Sequence, residues 1–408
     1  MTAGPLRWAT CFLLLAGLLG MASTGHAKGG TTPTVTIRLE DAMSAKGSSA
    51  EMAAALAGFE KKYKHIKVAY SEYQGDFESH LEAEFLSGPA PDVFEIDMGW
   101  ARDFIQAHAL ESLSGYAGHD RSFHPSDFSP SLVNGFSSRG RTYAYPIGYS
   151  TLGVFFNRAL FKAGHIKYAP RDWKSFSRIA CELTNKEDHV YGAVLSPDPA
   201  RWFAFLPAFG ARALNGKQNG PAINSKAAIA ALKWYAGLVR SGCAELAPAG
   251  SSDAQEIGEG HAAMTFEPSS EATYLNAAFP KTGWGTSVLP TGPKGNGNLA
   301  FAVGYAMNGH SKYKNAAWKL ISYLSDGGSA ENIDRTAHFL PGRRSQRPPK
   351  TLSNFAKGAA YATPWAWPPG LVVNAFPEIG SDIAKAATGQ MTYKNAVADM
   401  AVWLRRYL

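Results

Sequence analysis

Cysteine is scarce in this sequence, with three residues among 408. Cys11 lies in an apolar N-terminal run, which leaves Cys181 and Cys243 in the rest of the chain. No two of them have C-x-x-C spacing, so neither a redox motif nor a zinc ribbon is predicted. Cys181 and Cys243 can form one disulfide or remain buried free thiols, and the sequence favours neither state.

Catalytic motifs are also missing. The chain contains neither an H-E-x-x-H zinc motif nor a G-x-x-x-x-G-K-[ST] phosphate loop. Residues 148–152 begin like a nucleophile elbow, but Leu152 replaces the final glycine. Residues 295–300 loosely match a dinucleotide fingerprint, but a turn is favoured because no strand is predicted before them. We therefore predict that the protein binds neither a cofactor nor a metal ion and is not an enzyme. A glycosidase-like carboxylate pair is the one catalytic arrangement that no motif excludes.

Long apolar runs are confined to the N-terminus. Arg7 precedes the run from Ala9 to Gly20, and small residues follow as far as Ala27. This pattern predicts a secretory signal cleaved after Ala27. The run is shorter than the roughly 20 residues that a membrane-spanning helix needs. The remaining 381 of the 408 residues are enough for two or three domains, and we expect an exported protein.

The formal charge of +7 is spread along the chain, apart from a basic segment with Arg343, Arg344 and Arg347. Net charge informs solubility and association more than function. We therefore interpret it as a solubility feature and predict no nucleic-acid partner. The alternative is an acidic ligand or an anionic partner surface.

Strands and helices alternate in the pattern of an α/β protein. Strands are predicted at residues 35–39, 66–70 and 91–96, and helices at 49–63 and 77–86. Such a β-α-β-α-β order implies a parallel sheet covered by helices.

Several segments resemble the family 1 extracellular solute-binding proteins, which include maltose- and trehalose-binding proteins. Six or more segments occur in the family's order along nearly the whole chain. They are Phe59–Val68, Ser87–Phe94, Tyr145–Asn157, Ala169–Trp173, Gly260–Met264, Asn315–Trp318 and Gly389–Ala396. The most specific are S-G-P-A-P-D-V-F at Ser87 and G-H-A-A-M at Gly260.

The resemblance implies a two-lobed, type II-like periplasmic-binding-protein fold with crossing hinge segments and ligand in the interlobe cleft. Lobe one is expected to comprise residues 28–147 and 301–335, and lobe two residues 148–300 and 336–408. The implied function is a monomeric periplasmic receptor that delivers a small molecule to an ABC permease in the inner membrane. A mono- or oligosaccharide is the expected ligand. The alternatives are a phosphorylated polyol, which Arg343 and Arg344 favour slightly, a carbohydrate-active enzyme and a surface interaction protein.

The expected site combines aromatic platforms for sugar rings with carboxylates for hydroxyl groups. Two departures from sugar-binding relatives concern this site: no tryptophan follows Met264 at about six residues, and Ser150 stands where relatives can carry a carboxylate. Candidates were chosen at the carboxyl ends of strands, at the crossovers and in proline-rich loops. They are Glu40, Asp41, Asp97, Trp100, Tyr149, Ser150, Trp202, Glu267, Trp284, Gly304, Tyr305, Trp365 and Trp367.

Overall fold

The predicted β-α-β-α-β unit opens the computed structural model, which describes residues 33–42, 48–248 and 251–408. The predicted signal sequence, residues 1–27, lies outside the described residues. Among the described residues, no helix is long and apolar enough to cross a membrane.

Thirteen strands are present in the part of the chain that the structure describes. They are β1 (Val35–Asp41), β2 (Ile66–Glu72), β3 (Val93–Asp97), β4 (Ser137–Ser138), β5 (Arg141–Thr142), β6 (Ala144–Asn157), β7 (Ala193–Leu195), β8 (Ala244–Leu246), β9 (Met264–Pro268), β10 (Trp284–Ser287), β11 (Leu299–Met307), β12 (Leu340–Pro341) and β13 (Thr363–Pro364).

The α-helices of the same residues surround these strands. They are α1 (Ser48–Lys62), α2 (Phe77–Ser87), α3 (Ala101–Gln106), α4 (Ser114–His119), α5 (Pro130–Gly135), α6 (Arg158–Ala163), α7 (Trp173–Leu183), α8 (Pro199–Phe203), α9 (Leu206–Phe209), α10 (Lys226–Arg240), α11 (Asp253–Glu259), α12 (Glu271–Ala278), α13 (Lys314–Leu324), α14 (Gly327–Thr336), α15 (Ser353–Ala359), α16 (Phe376–Thr388) and α17 (Tyr393–Arg406). Short 3-10 turns lie at Pro125–Asp127 and Lys350–Leu352, and a π-helical turn at Leu371–Ala375.

Local signals in the sequence explain where these helices begin and end. The Asp76 side chain accepts a hydrogen bond from the backbone of Ser79 at the start of α2, and Gly88 ends the helix in the left-handed conformation. Asp172 and Ser175 form a capping box at the start of α7. These contacts satisfy backbone groups that a helix leaves without partners at its ends.

One sheet contains most of the strands, in the order β10-β6-β11-β3-β1-β2. Strand β1 pairs in parallel with β2 and β3, as predicted for the N-terminal unit. Strand β11 returns from the second half of the chain and pairs antiparallel with β3 and β6. The predicted α/β class is therefore confirmed.

The 14-residue strand β6 runs from one part of the sheet into another. Its first part, residues 144–151, pairs with β11. Its second part, residues 152–157, pairs with β9 and β10. The predicted lobe boundaries at 147/148, 300/301 and 335/336 fall in or next to β6, β11 and α14, and they stay a prediction.

Hydrophobic side chains form separate cores on the two sides of these crossings. Helices α1 and α13 pack on one face of the N-terminal sheet around Ile37 and Phe59, and α2 and α3 pack on the other face around Phe94. The largest core joins α7, α10, α16 and α17, with Phe266 and Leu404 fully buried. Each such side chain contributes about 1.5–3 kcal/mol on burial.

Cys181 at the end of α7 and Cys243 next to β8 form a disulfide across 62 residues of sequence. The structure thus resolves the choice that the sequence left open. The bond ties the two elements that flank the small parallel pair β7–β8.

Reducing this disulfide should lower the free energy of unfolding by about 2–4 kcal/mol, because the cross-link restricts the unfolded chain. Thermal melts with and without dithiothreitol measure the effect. A Cys181→Ala/Cys243→Ala variant is the control, since its melting temperature should already be low and should not respond to reductant. Equal melting temperatures for the oxidised and reduced wild type would contradict this expectation.

Candidate functional site

A cavity of about 670 Å³ lies between segments that belong to the separate cores. Asp97, at the carboxyl end of β3, lies on one side, and the loop and helix from Ser196 to Arg201 lie opposite. Phe301 of β11 and Trp365, which follows β13, complete the lining with the start of α16. Clefts between lobes, outside the carboxyl ends of strands, are where α/β proteins bind ligands.

An aromatic wall, formed by Phe301, Trp365 and Phe376, borders this cavity. The Trp365 ring centroid lies 5.5 Å from that of Phe301 and 5.3 Å from that of Phe376. Trp367 packs edge-on behind Trp365 at 5.0 Å. Trp365 also approaches Gly99 so closely that a Cβ atom there would lie 2.9 Å from the indole ring. A glycine at 99 therefore allows the wall to reach the end of β3.

Asp97 faces this wall from β3. Its Oδ1 accepts a hydrogen bond from the backbone N–H of Gly99 at 2.6 Å. Burial disfavours the charged form and raises the pKa of the Asp97 carboxyl to about 6, although the Gly99 bond opposes this. A carboxyl group that ionises near neutral pH beside a cavity is typical of functional sites.

Two more carboxyl groups lie behind Asp97 on the same face of the sheet. Asp41 accepts hydrogen bonds from the hydroxyls of Tyr70 at 2.8 Å and Tyr305 at 3.4 Å. Glu95 is 8 % exposed, and one of its carboxyl oxygens has no hydrogen-bond partner among the described residues. Burial, with repulsion from Asp41 and Asp97, raises the Glu95 pKa well above its usual range.

Arg201 dominates the opposite side of the cavity. Its guanidinium lies 2.6 Å from Glu267 and 3.3 Å from Asp198. Burial disfavours the charge of Arg201, but Glu267 and Asp198 outweigh it and raise the arginine's pKa. Its Nε atom is buried and without a partner among the described residues. Arg201 is thus a charged donor held in place by two carboxylates, with one N–H still to be satisfied.

Seven of the sequence-predicted residues are brought to this cavity or to the groups directly behind it. Asp97 and Trp365 line it, Trp367 supports Trp365, and Glu267 holds Arg201. Asp41 and Tyr305 lie behind Asp97 through their mutual hydrogen bond. Gly304 is the seventh: it sits at a β-bulge beside Tyr305, where a Cβ atom would lie 2.5 Å from the Tyr145 carbonyl oxygen.

The structure places the other predicted residues elsewhere. Trp202 is fully buried in the largest core. Trp100 precedes α3 and packs on Phe104 at 5.2 Å, and Trp284 packs on Phe155 at 5.5 Å. Glu40 forms a hydrogen bond with His80 at 2.6 Å, and the Ser150 hydroxyl accepts one from Ser269 at 3.1 Å. Tyr149 is half-buried and pairs with Ala302 across the strands.

Sequence reasoning missed Asp198, Arg201, Phe301 and Phe376. Trp202, which the sequence predicted for the site, directly follows Arg201. A five-residue helix turns Trp202 into the core and leaves Arg201 at the cavity. The position of Arg201, directly after a strand and its loop, was the available signal.

Comparison with known proteins identifies the class. The profile of the family described as bacterial extracellular solute-binding proteins matches residues 44–328. Because this match covers most of the chain, the protein belongs to that family. A binding protein of Brucella abortus (strain 2308) is 24% identical over 293 residues, which are 69% of each chain.

Solved structures share the fold over nearly their full lengths. An ABC substrate-binding protein of Listeria monocytogenes, in complex with cycloalternan, has a TM-score of 0.81 and 20% identity, covering 91% of this chain and 98% of its own. The GacH receptor of Streptomyces glaucescens, solved with acarbose, has a TM-score of 0.79 and 21% identity, and the match covers 92% of this chain and 99% of its own. UgpB of Mycobacterium tuberculosis, in complex with glycerophosphocholine, has a TM-score of 0.79 and 18% identity, and the match covers 93% of this chain and 98% of its own. The predicted two-lobed fold is therefore confirmed.

The raised pKa of Asp97 should make stability depend on pH. The folded chain holds this proton up to about pH 6, whereas an unfolded aspartate loses it near its usual value of 3.8. The contribution of Asp97 to the free energy of unfolding should therefore fall as pH rises from about 4 to about 6. Asp97→Asn should remove this component in urea denaturation at a series of pH values.

The control for this measurement is Glu187→Gln, at an exposed loop position. It should leave the pH profile of the wild type unchanged. If Asp97→Asn and wild type differ by a constant between pH 4 and 7, Asp97 does not titrate as described.

Proposed function

We propose that this protein is an exported receptor that captures a saccharide in the interlobe cavity and delivers it to an ABC import permease. The observation that carries the proposal is the aromatic wall of Phe301, Trp365 and Phe376 facing hydrogen-bonding groups on Asp97 and Arg201. Family membership supports solute binding, and the cycloalternan and acarbose complexes of the structural neighbours support a sugar.

The chemistry of the cavity suits a sugar ring. One face of a pyranose is apolar and packs on flat aromatic side chains, while its hydroxyl groups need donors and acceptors. Trp365 supplies a platform, Asp97 accepts hydrogen bonds, and the guanidinium of Arg201, which Glu267 and Asp198 hold in place, supplies donors on the opposite side.

The cavity fits a phosphorylated polyol less well. Arg343, which suggested that alternative, hydrogen-bonds to the Ser325 carbonyl and packs over Phe128 at 4.4 Å, within the core around Phe123 and Tyr145. Arg201 is at the cavity, but its charge is already neutralised by Glu267 and Asp198. The glycerophosphocholine complex of one neighbour is the observation that keeps this second candidate in the ligand screen.

Several further parts of the proposal rest on the sequence and the family. Export through a signal cleaved after Ala27 gives the chain a periplasmic location. The receptor acts as a monomer that releases its ligand unchanged, and its partners are the permease subunits rather than nucleic acid. Turnover of a bound saccharide, abolished by Asp97→Asn, would instead favour the carbohydrate-active enzyme.

We also propose that binding closes two lobes comprising residues 28–147 with 301–335, and 148–300 with 336–408. Hydrogen bonds already join these two sets of residues outside the cavity. Arg102 donates to Gln218 at 2.9 Å, and the backbone N–H of Gly370 donates to Asp103 at 2.5 Å. A ligand that touches both sides favours the closed form, which is the form a permease can recognise.

Trp365→Ala should weaken saccharide binding by about 1–3 kcal/mol, because it removes the aromatic platform. A thermal-shift screen of sugars, polyols and glycerol phosphates first identifies a binder, since a ligand of the native state raises the melting temperature. Calorimetric titration then compares wild type, Trp365→Ala and the control Trp284→Ala. Weakened binding in the control alone would show that the site lies near β10.

Saturating saccharide should reduce the radius of gyration of the wild type in small-angle X-ray scattering, because the ligand draws the lobes together. A Trp365→Ala sample at the same saccharide concentration should remain nearer the unliganded value. Identical radii for free and saturated wild type would contradict closure as the mechanism.

A further inference from the structure

Glu95 and Asp97 form a carboxyl pair that lacks a cationic partner. They are two residues apart on β3, so their side chains lie on the same face of the sheet. Arg201 on the other side of the cavity is paired with Asp198 and Glu267. By contrast, no arginine, lysine or histidine among the described residues forms an ion pair with Glu95 or Asp97.

This pair extends from Asp97, which lines the cavity, to the buried Glu95 on the same strand. Asp97 lies opposite Val303 of β11, and Glu95 lies opposite Tyr305. Phe301 precedes Val303 by two residues on β11 and lines the cavity. The same face of β3 and β11 therefore passes from the aromatic wall to Asp97 and then to Glu95. The buried Oε2 of Glu95 has no hydrogen bond within the part of the chain that the structure describes.

Other ionisable groups near the pair are acidic or phenolic. Those on the neighbouring elements are Asp41 on β1, Tyr70 on β2, Glu78 on α2, Asp103 on α3 and Tyr305 on β11. Glu78 also lies near Asp97, and burial raises its pKa to about 8. Acidic groups therefore gather around the carboxyl end of β3, in a chain whose net charge is +7.

Burying carboxylates without a counter-cation is unfavourable, and the Gly99 N–H offsets only part of this cost for Asp97, so the carboxyl groups tend to keep their protons. A ligand ammonium group would relieve it directly. It offers three donors to carboxylate oxygens, and aromatic faces such as those of Trp365 and Phe301 attract cations. Neutral hydroxyl groups provide no such compensation.

We propose that the preferred solute is a protonated amino sugar, whose ammonium group lies at Asp97 and Glu95 while its ring packs on Trp365. The inference rests on the proposed saccharide-binding function and narrows it to one substrate class. Asp97 makes the direct contact, and Glu95 supplies the second negative charge.

Calorimetric titration at pH 7 with matched sugars tests the proposal. The probes are glucosamine with glucose, galactosamine with galactose, and the β-1,4-linked glucosamine dimer with cellobiose. The amino member should bind about tenfold to a hundredfold more tightly than its neutral partner, as expected for hydrogen bonds between charged groups. N-Acetylglucosamine, which lacks the charge, should behave like the neutral sugars.

Variants locate the origin of this preference. Glu95→Gln and Asp97→Asn should bring the ratio of amino-sugar to neutral-sugar affinity close to one. Glu40→Gln is the matched control, because Glu40 is a buried strand carboxylate bonded to His80 on the opposite face of β1. It should leave the ratio unchanged. Circular dichroism confirms that each variant is folded.

A measurement on the wild type avoids any loss of folding. At pH 6, binding of the amino sugar should release protons from the carboxyl pair, which appears as a dependence of the binding heat on the ionisation enthalpy of the buffer. Equal affinity for neutral and amino sugars would overturn the inference and leave the saccharide receptor standing. Failure of the folded wild type to bind any of these sugars would overturn both.

Discussion

The antiparallel pairing of β6 with β11 is the interaction on which the rest of the structure depends. Seven residue pairs connect them, from Ala300 with Thr151 to Ala306 with Ala144. One strand leaves the first half of the chain and the other returns from the second, so both lobes share hydrogen bonds of one sheet. Gly304 fits this pairing because the Tyr145 carbonyl leaves no room for a Cβ atom. Through this pairing β11 brings Phe301 to the cavity, next to Asp97 of β3.

The two walls differ in how they compensate buried charge. Around Arg201, a cation is surrounded by Glu267, Asp198 and, at greater distance, Asp253. Around Asp97, carboxyl groups meet hydroxyls and a backbone N–H but no cation in the part of the chain that the structure describes. Buried ion pairs need matched partners, and removal of one partner leaves an expensive charge. A ligand that contacts both walls therefore meets the Arg201 guanidinium as a hydrogen-bond donor on one side. On the other side it meets carboxyl oxygens as acceptors.

Local sequence patterns accounted for the N-terminal β-α-β-α-β unit. The strand expected at residues 35–39 extends to Asp41, and the helix expected at 77–86 ends at Ser87. Asp76, Gly88 and Asp172 cap α2 and α7 through contacts within a few residues of sequence, so local sequence sets where these helices begin and end. The choice of Asp97 and Asp41 followed from the rule that ligands lie beyond the carboxyl ends of parallel strands.

The orientation of individual side chains required the tertiary structure. Trp202 and Arg201 are adjacent, yet one fills the core and the other lines the cavity, because a short helix fixes their directions. Trp365 and Phe376, eleven residues apart, meet only through folding of the C-terminal segment. By itself, the sequence determined the alternating α/β elements, which depend on local periodicity and spacing. The order of its family-like motifs indicated the class of function through the resemblance. Only the tertiary structure decided the pairing of Cys181 with Cys243, the partners of each carboxylate and the composition of the cavity, because these are contacts between segments far apart in the chain.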